Sequence, residues 1–287
     1  MSKVAVVSDS AAGIPEDMLE ELRIHTIPFY IHHGGKVLRD FIDISCEKFY
    51  QWLPTLDTLP TTSNPGPGDY LEKYKELAAK GFKNIISIQI TSLGSGAYRA
   101  AMVAKEMLRE SLPEIKLEVI DTLNASMCQG WMAVEAARAA LTGASFPDIV
   151  AMVKKMIPVS HMFQTTDSLR YLYMGGRIGK AKHLVANMLN IKPIIGMEDG
   201  VVVALGQARS RKKVYQAITD KMSSAVSAGA VKVSYVHAAA LEEAEKLKSI
   251  VEERINVVES VFSQFSPALG VHTGPGTVGL CYYPLLD

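Results

Sequence analysis

Apolar positions in the first half of the chain alternate between two periods. Residues 3–8, 25–31, 84–90 and 117–120 are short runs rich in valine, isoleucine and leucine, the composition of buried strands. The segments after Pro15 and over residues 46–52, 70–79, 97–110 and 130–141 instead read as helices. Over 97–110 the apolar face carries Tyr98, Ala101, Met102 and Leu108. Strands alternating with helices predict a largely parallel sheet with helices on both faces. "HHGGK", residues 32–36, reads as a hairpin turn. From residue 157 a second α/β unit begins. Short helices flank "GGRIG" (175–179), and Asp199-Gly200 is a turn signal between strands. Helices over 210–227 and 241–253 then alternate with strands over 231–237 and 257–264. The expected fold is therefore α/β in two domains. Residues 1–157 form the first, with the parallel sheet, and residues 158–287 the second, with a more mixed sheet.

Composition narrows the function. The 287 residues are 48% hydrophobic and 21% charged, a globular balance with no disordered tail. Thirty basic residues offset thirty acidic ones, which disfavours a nucleic-acid surface. Cys46, Cys128 and Cys281 are scattered, with neither metal spacing nor a disulfide framework, so a reducing compartment is expected. The first strand starts near residue 3, leaving no room for a signal peptide, and no apolar run approaches a membrane span. A cytoplasmic protein is expected. Thirteen methionines suit a malleable core and, more weakly, an apolar ligand cavity. His32 and His33 are adjacent, so on a strand they point opposite ways; no metal site is expected.

The candidate chemistry lies in the loops. "TSLGSG", residues 91–96, joins a strand to a helix at the carboxyl edge of the expected sheet, where open α/β sheets place ligands. A helix start offers unpaired N–H groups and a positive dipole end. Gly94 and Gly96 permit close approach to the backbone, and Ser95 adds a hydroxyl that equally suits a simple helix cap. The turn matches neither GxSxG, nor the P-loop, nor GxGxxG. "DSAAG" (9–13), "TTSNPGPG" (61–68), "VIDTLNASMCQG" (119–130) and "HTGPGTVG" (272–279) share its composition. Each alone is an ordinary turn or cap; together, on one sheet edge, they point to a small polar ligand site. Arg177, after the helix-ending Gly175-Gly176, is a candidate anion partner, and "RSRKK" (209–213) is either a solvated helix start or a docking patch.

In this order, "VVSDSAAGIP", "LPTTSNPGPGDY", "ITSLGSGAYRAA", "VIDTLNASMCQG", "DSLRYLYMGGRIG" and "HTGPGTVGL" resemble the DegV family over essentially the whole chain. Asn64 stands where that family usually has Gln and Ala97 where it usually has Thr; both changes keep the hydroxyl positions. The resemblance implies two α/β domains with a long-chain fatty acid between them, presented to a separate fatty acid kinase that makes the acyl phosphate for phospholipid metabolism. It implies that Thr62 and Ser95 bond the carboxylate with help from the Gly96 N–H, that Arg177 and His272 lie nearby, and that Arg209 faces the kinase. It implies no cofactor and no catalytic residue. The rival readings are an enzyme acting on a small phosphorylated or carboxylated substrate through the same glycine-rich loops, and a scaffold docking through "RSRKK".

Overall fold

Val4–Asp9 forms a strand in which all six residues are buried, as expected of a strand covered on both faces. The computed structural model describes residues 4–226 and 229–285. In chain order its elements are β1 (Val4–Asp9), α1 (Glu16–Leu22), β2 (His25–Ile27), β3 (Tyr30–His33), β4 (Lys36–Arg39), α2 (Cys46–Trp52), β5 (Thr61–Ser63) and α3 (Pro67–Ala79). Then come β6 (Asn84–Gln89), α4 (Ala97–Ser111), β7 (Lys116–Asp121), α5 (Met127–Leu141), α6 (Phe146–Met156), β8 (His161–Thr165) and α7 (Arg170–Met174). The remainder comprises β9 (Lys192–Glu198), β10 (Val201–Ala208), α8 (Arg211–Val226), β11 (Val231–His237), α9 (Leu241–Glu252), β12 (Val257–Gln264), α10 (Pro267–Thr273) and β13 (Val278–Pro284). Among the described residues no helix is long and apolar enough to cross a membrane.

Four strands, ordered β2-β1-β6-β7 and all parallel, make the first sheet. The six-stranded sheet, ordered β10-β9-β8-β13-β11-β12, is mixed: β11–β12 is parallel and the other pairings are antiparallel. A small antiparallel sheet, β4-β3-β5, stands apart from both. The pattern over residues 25–31 reads as one strand, but it is two. Pro28 has no N–H to donate, and there the chain leaves the parallel sheet as β2 and enters the small sheet as β3. Gly34 and Gly35 at positive φ (55° and 74°) close the β3–β4 hairpin. Within the proline-rich loop, Thr61–Ser63 pairs with β3 as β5. The short helix expected before "GGRIG" begins only at Arg170. Thr166 instead accepts the Ser168 N–H, and the Ser168 hydroxyl accepts that of Arg170. β8, α6 and α10 are not among the elements expected above, although α6 buries Ile149, Val153 and Met156 at helical spacing.

α5 is buried on nearly every side from Met127 to Ala137, as a helix clamped between two sheets must be. It packs against β1 on one side and β13 on the other. Trp131 on α5 meets the Tyr283 ring at 5.9 Å. Its far end is tied to the six-stranded sheet by charge: Arg138 grips Glu259 through two hydrogen bonds of 2.6 and 2.8 Å, and Lys232 bridges Glu135 and Glu259 at 2.8 and 2.9 Å.

A second tie lies deeper. Asp40, 1% exposed, accepts from the Ser10 hydroxyl at 2.7 Å and from the Ala268 N–H at 3.2 Å. Ser10 in turn accepts the Phe29 N–H at 3.0 Å. One carboxylate thus fastens the loop after β1 to the first turn of α10. Nearby, Asp9 accepts from Ala11 N–H at 3.0 Å and Ile90 N–H at 2.9 Å. Burial raises both carboxyls, Asp9 to about 6 and Asp40 to about 7. A folded-state pKa above the ordinary 3.8 means that the folded state holds more protons between the two values, so stability falls as pH rises through that window. These two carboxyls therefore subtract stability as pH rises from about 4 to 7, and Asp40→Asn should remove its share, so that the melting temperature of the variant gains on that of the parent across this window. A constant difference between variant and parent in calorimetric melts would show that Asp40 titrates at its ordinary value.

Candidate functional site

The 91–96 turn is held from three directions. Thr91 N–H donates to Asn124 O at 2.8 Å, and its hydroxyl donates to Gly200 O at 2.9 Å, on the β9–β10 hairpin of the other sheet. Ser92 N–H donates to Asp121 at 3.1 Å. Ser95 then accepts the Ala97 N–H at 3.2 Å, an i→i+2 turn bond rather than a helix cap, since Gly96 is the N-cap of α4. This uses a lone pair of the hydroxyl oxygen and leaves the O–H free to donate. The Gly96 N–H has no partner among the described residues, at the start of the 15-residue α4. A Cβ on Gly96 would sit 2.7 Å from Asn64 Oδ1 and push that side chain aside, so glycine lets the 62–64 segment pack close to this N–H.

Thr62 comes to the same place from β5, where it is registered opposite Ile31. Its Oγ1 lies 2.8 Å from His272 Nε2 on α10. His272 Nδ1 is buried without a partner, and Gly175 lies so close that a Cβ there would run into that nitrogen. We assign the ring proton to Nε2, where Thr62 accepts it, because on Nδ1 it would be a buried N–H with no acceptor. Thr62 therefore stands like Ser95, with its oxygen accepting an N–H and its own O–H left to give. Burial, and secondarily the Arg177 charge, lower the His272 pKa to about 4, so the ring is neutral at physiological pH.

Both hydroxyls line a cavity of about 410 Å³ between the parallel sheet and the six-stranded one, with Gly96, Arg177 and His272 also on its wall. Arg177 is exposed, donating to Gly175 O at 2.8 Å and Gly94 O at 3.4 Å. It reaches from the α7 end to the 91–96 turn. Arg209 is elsewhere, exposed between β10 and α8 and outside the cavity lining. Of its cluster, Arg211 is turned inward, onto Asp167 at 2.9 Å and Gly276 O at 2.6 Å. Arg209, Lys212 and Lys213 stay exposed. The adjacent histidines diverge: His32 meets Ser63 Oγ at 2.8 Å, and His33 packs edge-on against Trp52.

Six polar residues of the wall, Ser63, Asn64, Thr91, Ser126, Gln164 and Thr273, are missing from the sequence-based set, and two of them stand out. Ser126, 1% exposed, is the N-cap residue of α5 yet makes no capping bond. Its backbone is at φ 53°, ψ −146°, a region costly for any residue with a Cβ. Its hydroxyl has no partner among the described residues, and neither does Gln164 Oε1 on β8, 3% exposed. The signal for Ser126 was the loop "DTLNAS" entering a helix; Gln164 carried none.

A family model described as an uncharacterised protein of the DegV family matches residues 3–285. A DegV domain-containing protein of Caldanaerobacter subterraneus is 32% identical over 283 residues, spanning 98% of this chain and 99% of the relative. The chain belongs to the DegV family. Among solved structures, a Thermus thermophilus DegV family protein described by its fatty acid binding superposes with a TM-score of 0.92 at 26% identity, covering 99% of this chain and all of that one. Bacillus subtilis DegV, described as a fatty acid binding protein, gives 0.88 at 30% identity with the same coverage. A stearic acid-binding protein from Eubacterium ventriosum gives 0.86 at 27%, covering 99% and 98% of the two chains. These likenesses agree with the α/β fold and its parallel and mixed sheets.

A histidine whose folded pKa lies below its ordinary 6.5 costs stability as pH falls from about 6.5 towards 4, because only the unfolded chain takes up the proton there. In NMR titrations the His272 Cε1–H should move with a midpoint near 4, and Arg177→Ala should raise that midpoint while burial keeps it below 6.5. A midpoint of 6.5 in the parent protein would remove the neutral, buried ring from the site.

Proposed function

We propose that this DegV-family chain binds a long-chain fatty acid in the cavity between residues 1–157 and 158–287, taken as its two domains. It then presents the carboxylate to a separate fatty acid kinase for acyl-phosphate formation. The observation that carries this reading is the pair of hydroxyls, Thr62 and Ser95, each already accepting one N–H and so left to donate outward. The unpaired Gly96 N–H beside them adds a third donor at a positive helix end. Most of the remaining wall is apolar, with Phe29, Ile90, Leu172, Met197, Val202 and Phe265 among its members. Burying a palmitoyl chain there is worth roughly 0.8 kcal/mol per CH₂, on the order of 10 kcal/mol gross. The donors then need only orient the head.

A carboxylate held by neutral donors is not locked into a buried ion pair. Gly96 and Arg177 are both exposed, so the head lies where a second protein can reach it. In this reading the chain is a cytoplasmic carrier rather than the enzyme, and Arg209, exposed and outside the cavity lining, faces the kinase.

Native mass spectrometry of protein purified from bacteria should show a co-purified lipid mass, and palmitate or oleate should bind; a species with no lipid mass that binds neither acid would sink the proposal. Thr62→Val with Ser95→Ala should keep the lipid but slow kinase-coupled phosphorylation by about 1–3 kcal/mol, because the carboxylate loses its donors. Unchanged coupling rejects the cradle. Arg209→Ala should abolish coupling with lipid still bound, and no loss removes Arg209 from the interface. Turnover of a small phosphorylated or carboxylated compound by the isolated protein, dependent on nucleotide or metal, would replace the carrier with the rival enzyme.

A further inference from the structure

We infer that the cavity contains a second polar locus, Ser126 with Gln164, that takes a hydroxyl carried on the acyl chain, so the ligand class is a hydroxy fatty acid. This inference rests on the proposed fatty acid binding and names the kind of acid. The head cradle uses Thr62, Ser95 and Gly96. Ser126 and Gln164 are not bonded to that set and come from different parts of the fold, the start of α5 and strand β8. Both line the same cavity, both are at least nine-tenths buried, and each holds a buried oxygen with no partner among the described residues.

Ser126 is the sharper of the two. Serine at an N-cap normally turns its oxygen onto an N–H of its own helix. Here it makes no such bond, although α5 is 15 residues long, and its backbone sits at positive φ with ψ −146°, a combination that a serine adopts only under constraint. A saturated chain passing these residues strands both oxygens away from water. A hydroxyl on that chain answers both, since its oxygen accepts from the Ser126 O–H and its hydrogen is donated to Gln164 Oε1. The two side chains therefore read a substituent that the carboxylate cradle cannot sense.

The test is calorimetric titration of the delipidated full chain with stearate and with a series of positional hydroxystearates. At least one isomer should bind about tenfold tighter than stearate, the ratio of one well-made hydrogen bond. Ser126→Ala should erase that advantage, because it removes the O–H that the chain hydroxyl accepts from. Gln164→Leu, on a separate element and of similar bulk, should reduce it independently and serves if the first variant misfolds. If no isomer exceeds stearate, the locus holds only water and the inference is overturned. An advantage that survives both substitutions overturns it as well. Failure of stearate itself to bind the parent protein instead overturns the fatty acid reading on which this one stands.

Discussion

The buried Asp40 carboxylate is the contact on which the site's geometry depends. It is held by Ser10 from the loop after β1 and by Ala268 at the start of α10. Tyr50 Oη–H adds a parallel tie by donating to Phe265 O at 2.9 Å. With α10 fixed at its start, His272 one turn further on is brought to Thr62, and Thr62 is itself positioned by the pairing of β5 with β3. Each link is a hydrogen bond between segments far apart in the chain, and the last of them leaves one hydroxyl facing the cavity. A buried acid is a costly way to join two parts of a protein, and burial drives both Asp40 and its neighbour Asp9 towards neutrality. Strong, directional bonds to an N–H and a hydroxyl are what offset that cost.

The electrostatics of the site are set by which charges are kept out of it. His272 sits against the cavity as a neutral ring, because burial and the nearby Arg177 both oppose its protonation. Arg177 stays in solvent at the head turn, where water screens it. The inner wall therefore offers dipoles rather than fixed charges. Such a wall suits an anion without pairing it permanently, and in the proposed reading it takes the carboxylate with little regard to the chain attached to it. Discrimination among ligands has to come from the rest of the cavity.

Much of this architecture is legible in the sequence because its local signals agree with the fold. The strand–turn–helix at 84–111, the hairpin at Gly34-Gly35 and strands β11 and β12 all combine the right period with the right turn residues. The exceptions have a common physical cause. Thr61–Ser63 has little in its own sequence to make it a strand, and β3 supplies the pairing that does. α10 is seven residues long and amid glycines and prolines, so its helicity comes from the Ser266 cap and from packing. The loops of the cradle could be picked out by composition. That His272 would carry a proton to Thr62, and that the Ser95 oxygen would be occupied by Ala97 while its hydrogen stayed free, could not, since both depend on partners that composition does not name. Ser126 was visible only as a loop residue before a helix. Its unused hydroxyl and its strained backbone exist only in three dimensions.

The Thr62–His272 pair spans 210 residues of chain. On a ribosome adding about 5–20 residues per second, the threonine emerges roughly 10–40 seconds before its histidine. Through that interval the parallel sheet can form, yet half of the cradle has no partner, and α5 waits with the face that β13 will cover. Ligand recognition is thus among the last properties the nascent protein acquires. A truncated product that ends before α10 would have all four strands of the parallel sheet and no means of setting the Thr62 hydroxyl.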